Sequence, residues 1–270
     1  MVHSTGSRPK KSLGQNFLID AIFIDRIVAA VDASSADLIC EIGPGRGALT
    51  ERLVRTGAEI VAVELDRKLI DPLTDRFKAQ PNFHLIEQDA LTVDFPKLFA
   101  DRNFSIARLA SVKLVANLPF YISTAILQRL SAQREFFSTL VLMFQKEVVD
   151  RITADPGNSE RGFLTVIVES AFQIERLFDV PPNAFQPSPK VWSSVVRLIP
   201  KPVAAGEDDL RSLLSAGFAQ KRKTISNNLK TAFPKYAEAL ALAAIDPKLR
   251  AERLTLEDWI RLSDAIRSVS

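Results

Sequence analysis

"DLICEIGPGRGALT", residues 37–50, decides the fold. Its first six residues are largely apolar and rich in branched side chains, as in a short buried strand. Glycine then stops the strand. Gly43, Gly45 and Gly47 allow tight turns and let the backbone approach a ligand closely. "ALTERLVRTG" follows as a helix, with Leu49, Leu53 and Val54 on one side and Gly57 at its end. A strand, a glycine loop and a helix form the nucleotide-binding corner of an α/β sheet.

The same alternation continues outward. "AIFIDRIVAAV" (21–31) reads as a preceding helix. "EIVAVELD" is a second strand, "KLIDPLTDRF" a helical stretch interrupted by Pro72, "FHLIEQDAL" a third strand and "VKLVANL" a fourth. "STAILQRLSA" is helical and "FSTLVLMFQ" strand-like. Alternating strands and helices predict an α/β fold with a parallel sheet covered on both faces. "VWSSVVRLI" (191–199) alternates strictly, with Trp192, Ser194, Val196 and Leu198 on one face. It reads as a last, partly exposed strand, open to antiparallel pairing. "GFLTVIVESAF" stays between two readings, since its branched residues favour a strand and its length a helix. Near "IPKPVAAGEDD" (199–209) the character changes to a linker. Beyond it the pattern is helical, including "DDLRSLLSAGFAQKRKTISNNLKTAF" and a capping box from Thr255 to Asp258. The expected division is one α/β domain over 1–200 and a small helical domain over 205–270.

Composition narrows the function classes. The 270 residues are 47% hydrophobic and 25% charged, which suits an ordinary globular chain with a sizeable core. One cysteine, Cys40, excludes a disulfide framework, and its apolar setting reads as a small buried hydrophobe. With His3 and His84 the only histidines, no metal site is expected. No apolar stretch approaches the roughly 20 residues of a membrane span, and the N-terminal stretch lacks the apolar core of a secretory signal. A cytoplasmic protein without a membrane partner is expected. Net charge is only +3, but Lys10, Lys11 and the knot "QKRK" (220–223) concentrate it. Lys221, Arg222 and Lys223 are candidates for binding a polyanion.

The glycine loop admits two cofactors. Gly43, Gly45 and Ala48 fit the G-x-G-x-x-[GA] spacing of dinucleotide sites. Glu64, ending the second strand, can accept hydrogen bonds from both hydroxyls of a ribose, which NAD and S-adenosylmethionine share. Glu41 before the loop and Pro44 within it shift the reading toward S-adenosylmethionine, whose charged end is an amino acid with a sulfonium. Asp89, ending the third strand, can accept from an adenine amine.

"VANLPFYIS" (115–123) ends an apolar strand in an amide, a proline and two rings. The N6 amine of adenine is a poor nucleophile, because its lone pair is delocalised. Two acceptors gripping its N–H bonds favour a pyramidal nitrogen and offset the charge developing there. The Asn117 oxygen and the Leu118 carbonyl, fixed by Pro119, supply them. Phe120 offers a stacking face for a flipped-out base, with Tyr121 its rival.

With these residues together, the chain resembles the rRNA adenine N6-dimethyltransferases, class I Rossmann-like methyltransferases, and most closely the small-subunit (16S) type. The resemblance runs through "KKSLGQNFLID", "EIGPGRGALT", "VELD", "QDAL", "NLPFYIST", "MFQKEVVDRI", "PPNAFQPSPKVWSSVVRL" and "FAQKRKTISNNL". It implies a mostly parallel seven-stranded sheet with helices on both faces, and a small C-terminal helical domain that binds rRNA. It implies S-adenosylmethionine contacts at Asn16, Leu18, Gly43, Gly45, Glu64, Asp89 and Asn117, with Asn16 and Leu18 folding over the cofactor. The implied reaction places two methyl groups on each of two adjacent adenosines in a hairpin loop near the 3′ end of small-subunit rRNA. The implied context is a monomer acting on a pre-assembled 30S particle. The family usually has tyrosine where this chain has Phe120. "PPNAFQPSPKV" reads as a stiff loop beside the target base with Phe185 projecting. The large-subunit (23S) enzymes of the antibiotic-resistance type share the loop and the Asn-Leu-Pro turn and form the alternative.

Overall fold

The computed structural model describes residues 16–101, 111–203 and 205–269, apart from the side chain of Phe120. The Lys10 and Lys11 candidates fall outside those residues. The chain divides into two compact units, residues 1–149 with 173–200 and residues 150–172 with 201–270.

The first unit holds a seven-stranded sheet. Its strands in chain order are β2 (Asp37–Ile42), β3 (Glu59–Glu64), β4 (Phe83–Glu87), β5 (Ser111–Asn117), β6 (Thr139–Gln145), β7 (Phe172–Val180) and β9 (Ser193–Pro200). Their spatial order is β4-β3-β2-β5-β6-β9-β7. β4, β3, β2, β5 and β6 pair in parallel, and β9 runs antiparallel to β6. All six residues of β2 are buried, so its near-continuous apolar sequence matches a strand covered on both faces. The chain builds outward from β2 to β3 and β4, then returns to β5 on the other side. Such a reversal opens a crevice at the carboxyl ends of the strands.

The helices follow from local rules. α1 (Ala21–Val31) starts at Asp20, whose carboxylate accepts from the Ile22 N–H at 2.9 Å. It buries Ile24, Ile27 and Val31 against the sheet. α2 (Thr50–Leu53) tightens into a 3-10 turn that ends at Gly57, φ +81°. α3 (Arg67–Phe77) is not interrupted at Pro72, contrary to expectation. Its stripe of Leu69, Leu73 and Phe77 is buried, and that burial outweighs the one backbone bond a proline forfeits. Phe77 fits because position 47 is glycine, since a Cβ there would come within 2.7 Å of its ring. α4 (Phe95–Asp101) and α5 (Ser123–Ala132) complete the run between β4 and β6.

β9 is the last strand, antiparallel and partly exposed as expected: Ser193 to Val196 are buried, Arg197 is half-buried and Ile199 is exposed. It lies between β6 and β7. Two other expectations are resolved or changed. The undecided segment 162–172 is a helix, α7 (Phe163–Ala171), feeding directly into β7, which the sequence analysis missed. The domain boundary also differs: residues 150–172 join the helical unit instead of the sheet unit. The buried Arg161 guanidinium shows why. It donates to the carbonyls of Ala154 and Leu254 and to Glu169 within that unit.

The helical unit also contains the C-terminal half of α6 (Lys146–Ile152), α8 (Glu207–Gly217), α9 (Ile225–Leu229), α10 (Tyr236–Leu242) and α11 (Leu256–Val269). Its core gathers Leu213, Leu214, Ile225, Leu229, Leu254, Trp259 and Leu262. The capping box forms as expected: Asp258 N–H donates to Thr255 Oγ1 at 3.1 Å, and Thr255 N–H to Asp258 Oδ2 at 2.9 Å.

Candidate active site

The crevice at the reversal is a cleft of about 320 Å3. Asn16, Leu18, Gly43, Gly45, Glu64, Asn117, Leu118 and Pro119 all line it, so the structure brings together residues read from four separate stretches. A smaller cleft of about 120 Å3 adjoins it, sharing Gly43, Glu64 and Pro119 and adding Asp89 and the exposed Tyr121. Asp89 Oδ1 accepts from Leu91 N–H at 2.9 Å, which fixes the carboxylate at the end of β4.

The glycine loop needs its glycines at two positions for different reasons. Gly43 has φ +68°, and a Cβ there would meet nothing within 4 Å, so the wall is open at that point. Gly45 has φ +61°, and a Cβ would stand 3.1 Å from the Phe17 ring. Phe17 therefore closes over the loop, with the Arg46 guanidinium 4.5 Å from its ring centroid.

Two carboxylates sit beneath this loop. Glu64 accepts N–H bonds from Leu65, Asp66 and Gly45 at 2.9, 2.8 and 3.2 Å. Burial still raises its pKa above the ordinary carboxylate range. Glu41 is 1% exposed and accepts from Thr50 Oγ1 at 2.7 Å. Burial pushes its pKa up to about 7; the Thr50 bond restrains that rise and the charge of Glu64 adds to it. The Thr50 partner was missed in the sequence, since a threonine opening a helix reads as a cap.

Asn117 ends β5, and its Nδ2 donates to the Asn16 carbonyl at 3.4 Å. Leu118 N–H donates to the Met143 carbonyl of β6 at 3.3 Å, so the turn begins anchored to the next strand. Pro119 O then accepts from Ile122 N–H, and residues 120–122 form a 3-10 turn. The Phe120 stacking role concerns a side chain outside the described residues.

The two flanking motifs are one structure. β1 (Phe17–Leu18) pairs antiparallel with β8 (Phe185–Gln186), Leu18 opposite Phe185. Ile19 and Asp20 N–H both donate to the Ala184 carbonyl. Phe185 does not project: at 4% exposure it packs into the core with Phe17 and Leu18, because pairing with β1 turns it inward. Lys221, Arg222 and Lys223 are exposed in the helical unit, on a turn between α8 and α9 rather than on a helix. The buried Asn228 amide holds that turn, donating to the carbonyls of Gly217 and Gln220 at 2.5 and 3.2 Å. Among the described residues no acidic, histidine or cysteine cluster could hold a metal, and no helix is long and apolar enough to cross a membrane.

Two relatives carry the name ribosomal RNA small subunit methyltransferase A. The one from Hahella chejuensis is 42% identical over 265 residues, covering 97% of this chain and 94% of its own. The one from Laribacter hongkongensis is 44% identical over 260 residues, covering 95% of each. The crystal structure of a dimethyladenosine transferase from Plasmodium falciparum superposes with a TM-score of 0.73 at 26% identity, covering 91% of this chain and 95% of the other. The 23S rRNA methyltransferase ErmE shares the fold, with a TM-score of 0.70 at 24% identity, covering 93% of this chain and all of its own. The family described as ribosomal RNA adenine dimethylase matches residues 6–268, and this chain belongs to it.

Proposed function

We propose that this chain transfers methyl groups from S-adenosylmethionine to the N6 amines of two adjacent adenosines in a hairpin loop near the 3′ end of small-subunit rRNA. One observation carries the reading: Asn117, Leu118 and Pro119 end a central strand on the wall of the cleft that also holds Glu41, Gly43 and Glu64. The cleft fits the cofactor chemically. Its wall is open at Gly43, and its buried carboxylates suit an ammonium and a sulfonium while opposing the pyrophosphate of a dinucleotide. When bound, the cofactor supplies an electrophilic methyl carbon. Glu64 holds the ribose hydroxyls, Asp89 the adenine amine, and Asn16 and Leu18 close the front.

The remaining work belongs to the turn. The Asn117 oxygen and the Leu118 carbonyl accept the two N–H bonds of the target amine and stabilise the positive charge that grows on its nitrogen. Phe120 stacks on the base. The methylated nitrogen loses its proton to water, so no strong base is required. Lys221, Arg222 and Lys223 neutralise rRNA phosphates. The small-subunit reading is favoured over the large-subunit one because relatives above 40% identity are named for the small subunit, whereas ErmE shares the fold alone. The substrate is a pre-assembled 30S particle, met by a monomer in the cytoplasm, and the reaction contributes to small-subunit biogenesis.

The test is incubation with purified, unmethylated small and large subunits and labelled S-adenosylmethionine, followed by mass mapping of the rRNA. Dimethylation of two adjacent small-subunit adenosines is expected. Label confined to large-subunit rRNA rejects the proposal.

A further inference from the structure

Trp192 is an indole only half covered by the fold. It is 49% exposed and its neighbour Val191 is 42% exposed, while Ser193, the next residue, is buried. Lys190 beside them is exposed too. The fold's other tryptophan, Trp259, is completely buried, so Trp192 alone offers an accessible indole face.

The register locates the indole relative to the cleft. Asn117 pairs with Met143 in the parallel β5–β6 ladder, so Gln145 ends β6 on the same rim as Asn117. Gln145 pairs with Ser193, and the Lys146 N–H donates to the Trp192 carbonyl at 2.9 Å, one residue further along the rim. β9 lies two strand spacings from β5, about 10 Å. Trp192 thus stands on the catalytic rim, its backbone fixed, at a separation that one or two nucleotides of an RNA strand can span. Lys190 lies two residues before Trp192, and Lys146 is joined to it by that backbone bond. An accessible ring on a fixed backbone, with basic residues nearby, is the arrangement by which proteins bind unpaired nucleotides, the ring taking a base and the cations the phosphates.

We infer that Trp192 is a stacking platform for an unpaired base of the RNA strand next to the target adenosine, with Lys190 and Lys146 serving its phosphates. The inference rests on the methyl-transfer reading above and adds a residue to substrate recognition. Trp192 positions the strand and does not touch the reacting amine.

The two tryptophans make the test direct. A short RNA hairpin with two adjacent adenosines in its loop is titrated into the full chain while indole fluorescence is followed. Quenching is expected in the unaltered protein, and none in W192F, whose remaining Trp259 is out of reach. In parallel, kinetics on unmethylated small subunits are compared. W192A is expected to raise KM by about fivefold or more, the lower end of what losing one stacked base costs, with a smaller change in kcat. W192F, which keeps a ring, should stay within about twofold of the unaltered chain. An unresponsive fluorescence, or an unchanged KM in W192A, overturns the inference. Failure of the unaltered chain to methylate small subunits rejects the functional reading instead, and the quenching still reports on stacking without any turnover.

Discussion

Replacing Glu41 with glutamine measures how much charge the cleft holds against its own fold. The Glu41 carboxyl is fully buried, and its pKa rises from an ordinary 4.5 to about 7. Between those values the unfolded chain gives up a proton that the folded chain keeps, so rising pH erodes stability. Above the folded value both states are ionised and the loss is complete. A rise from 4.5 to about 7 corresponds to about 3 kcal/mol. Glutamine keeps an acceptor for the Thr50 hydroxyl, which lies 2.7 Å from the carboxylate, and fills nearly the same volume. The variant should therefore match the unaltered chain at about pH 4 and exceed it by about 3 kcal/mol at about pH 8.5. Urea denaturation of the ligand-free protein, followed by circular dichroism at both pH values, reads the difference. Saturating S-adenosylmethionine should shrink or reverse the advantage at high pH, because a cationic ligand stabilises the chain that carries the ionised carboxylate more than the variant. An equal difference at both pH values would show that Glu41 does not titrate as its burial requires, and would remove the charge argument for a cationic cofactor.

Asn117→Ala should reduce turnover about a hundredfold or more while leaving S-adenosylmethionine affinity largely intact, read by single-turnover methylation and calorimetry; unchanged turnover would end its assigned role. Neutralising Lys221, Arg222 and Lys223 together should weaken rRNA binding and flatten its dependence on salt by about three phosphate contacts; filter binding across a salt series checks this. Asn228→Ala should weaken RNA binding without removing a charge, because the turn between α8 and α9 loses its clamp, and the salt slope should stay the same. At the other end of the sheet, burial pushes Asp37 up, but hydrogen bonds from Ser111, Ser34 and Lys113 prevail and hold it near 2. Its contribution to stability is present above about pH 4 and fades as pH falls toward 2, so Asp37→Asn should flatten the acid limb of the stability curve.

How much could be read from the sequence depended on what each segment packs against. Strands β2, β3, β5 and β6 are covered on both faces and spell themselves as apolar runs. The glycine loop and "NLPF" carry backbone demands that few residues meet, so their place at strand ends was visible. β7 escaped because "FQIERLFDV" is exposed at Gln173, Glu175 and Arg176 and shows no clean alternation. Phe185 was read as projecting because its burial arises from pairing with Leu18, a contact that no local window contains. The "QKRK" turn was absorbed into a long helical pattern, since the break depends on Asn228 bonding back to Gly217 and Gln220. Residues 150–172 looked like part of the sheet unit because their allegiance shows only in long-range contacts, such as the Arg161 bond to Leu254, the Gly157 N–H bond to the Glu252 carbonyl and the packing of Val166 and Ile167 in the helical core.

The ladder between Phe17–Leu18 and Phe185–Gln186 stitches two distant stretches of chain into a single wall of the cleft. Under the proposed methyl transfer, spent donor and finished nucleotide would both leave past that shared wall.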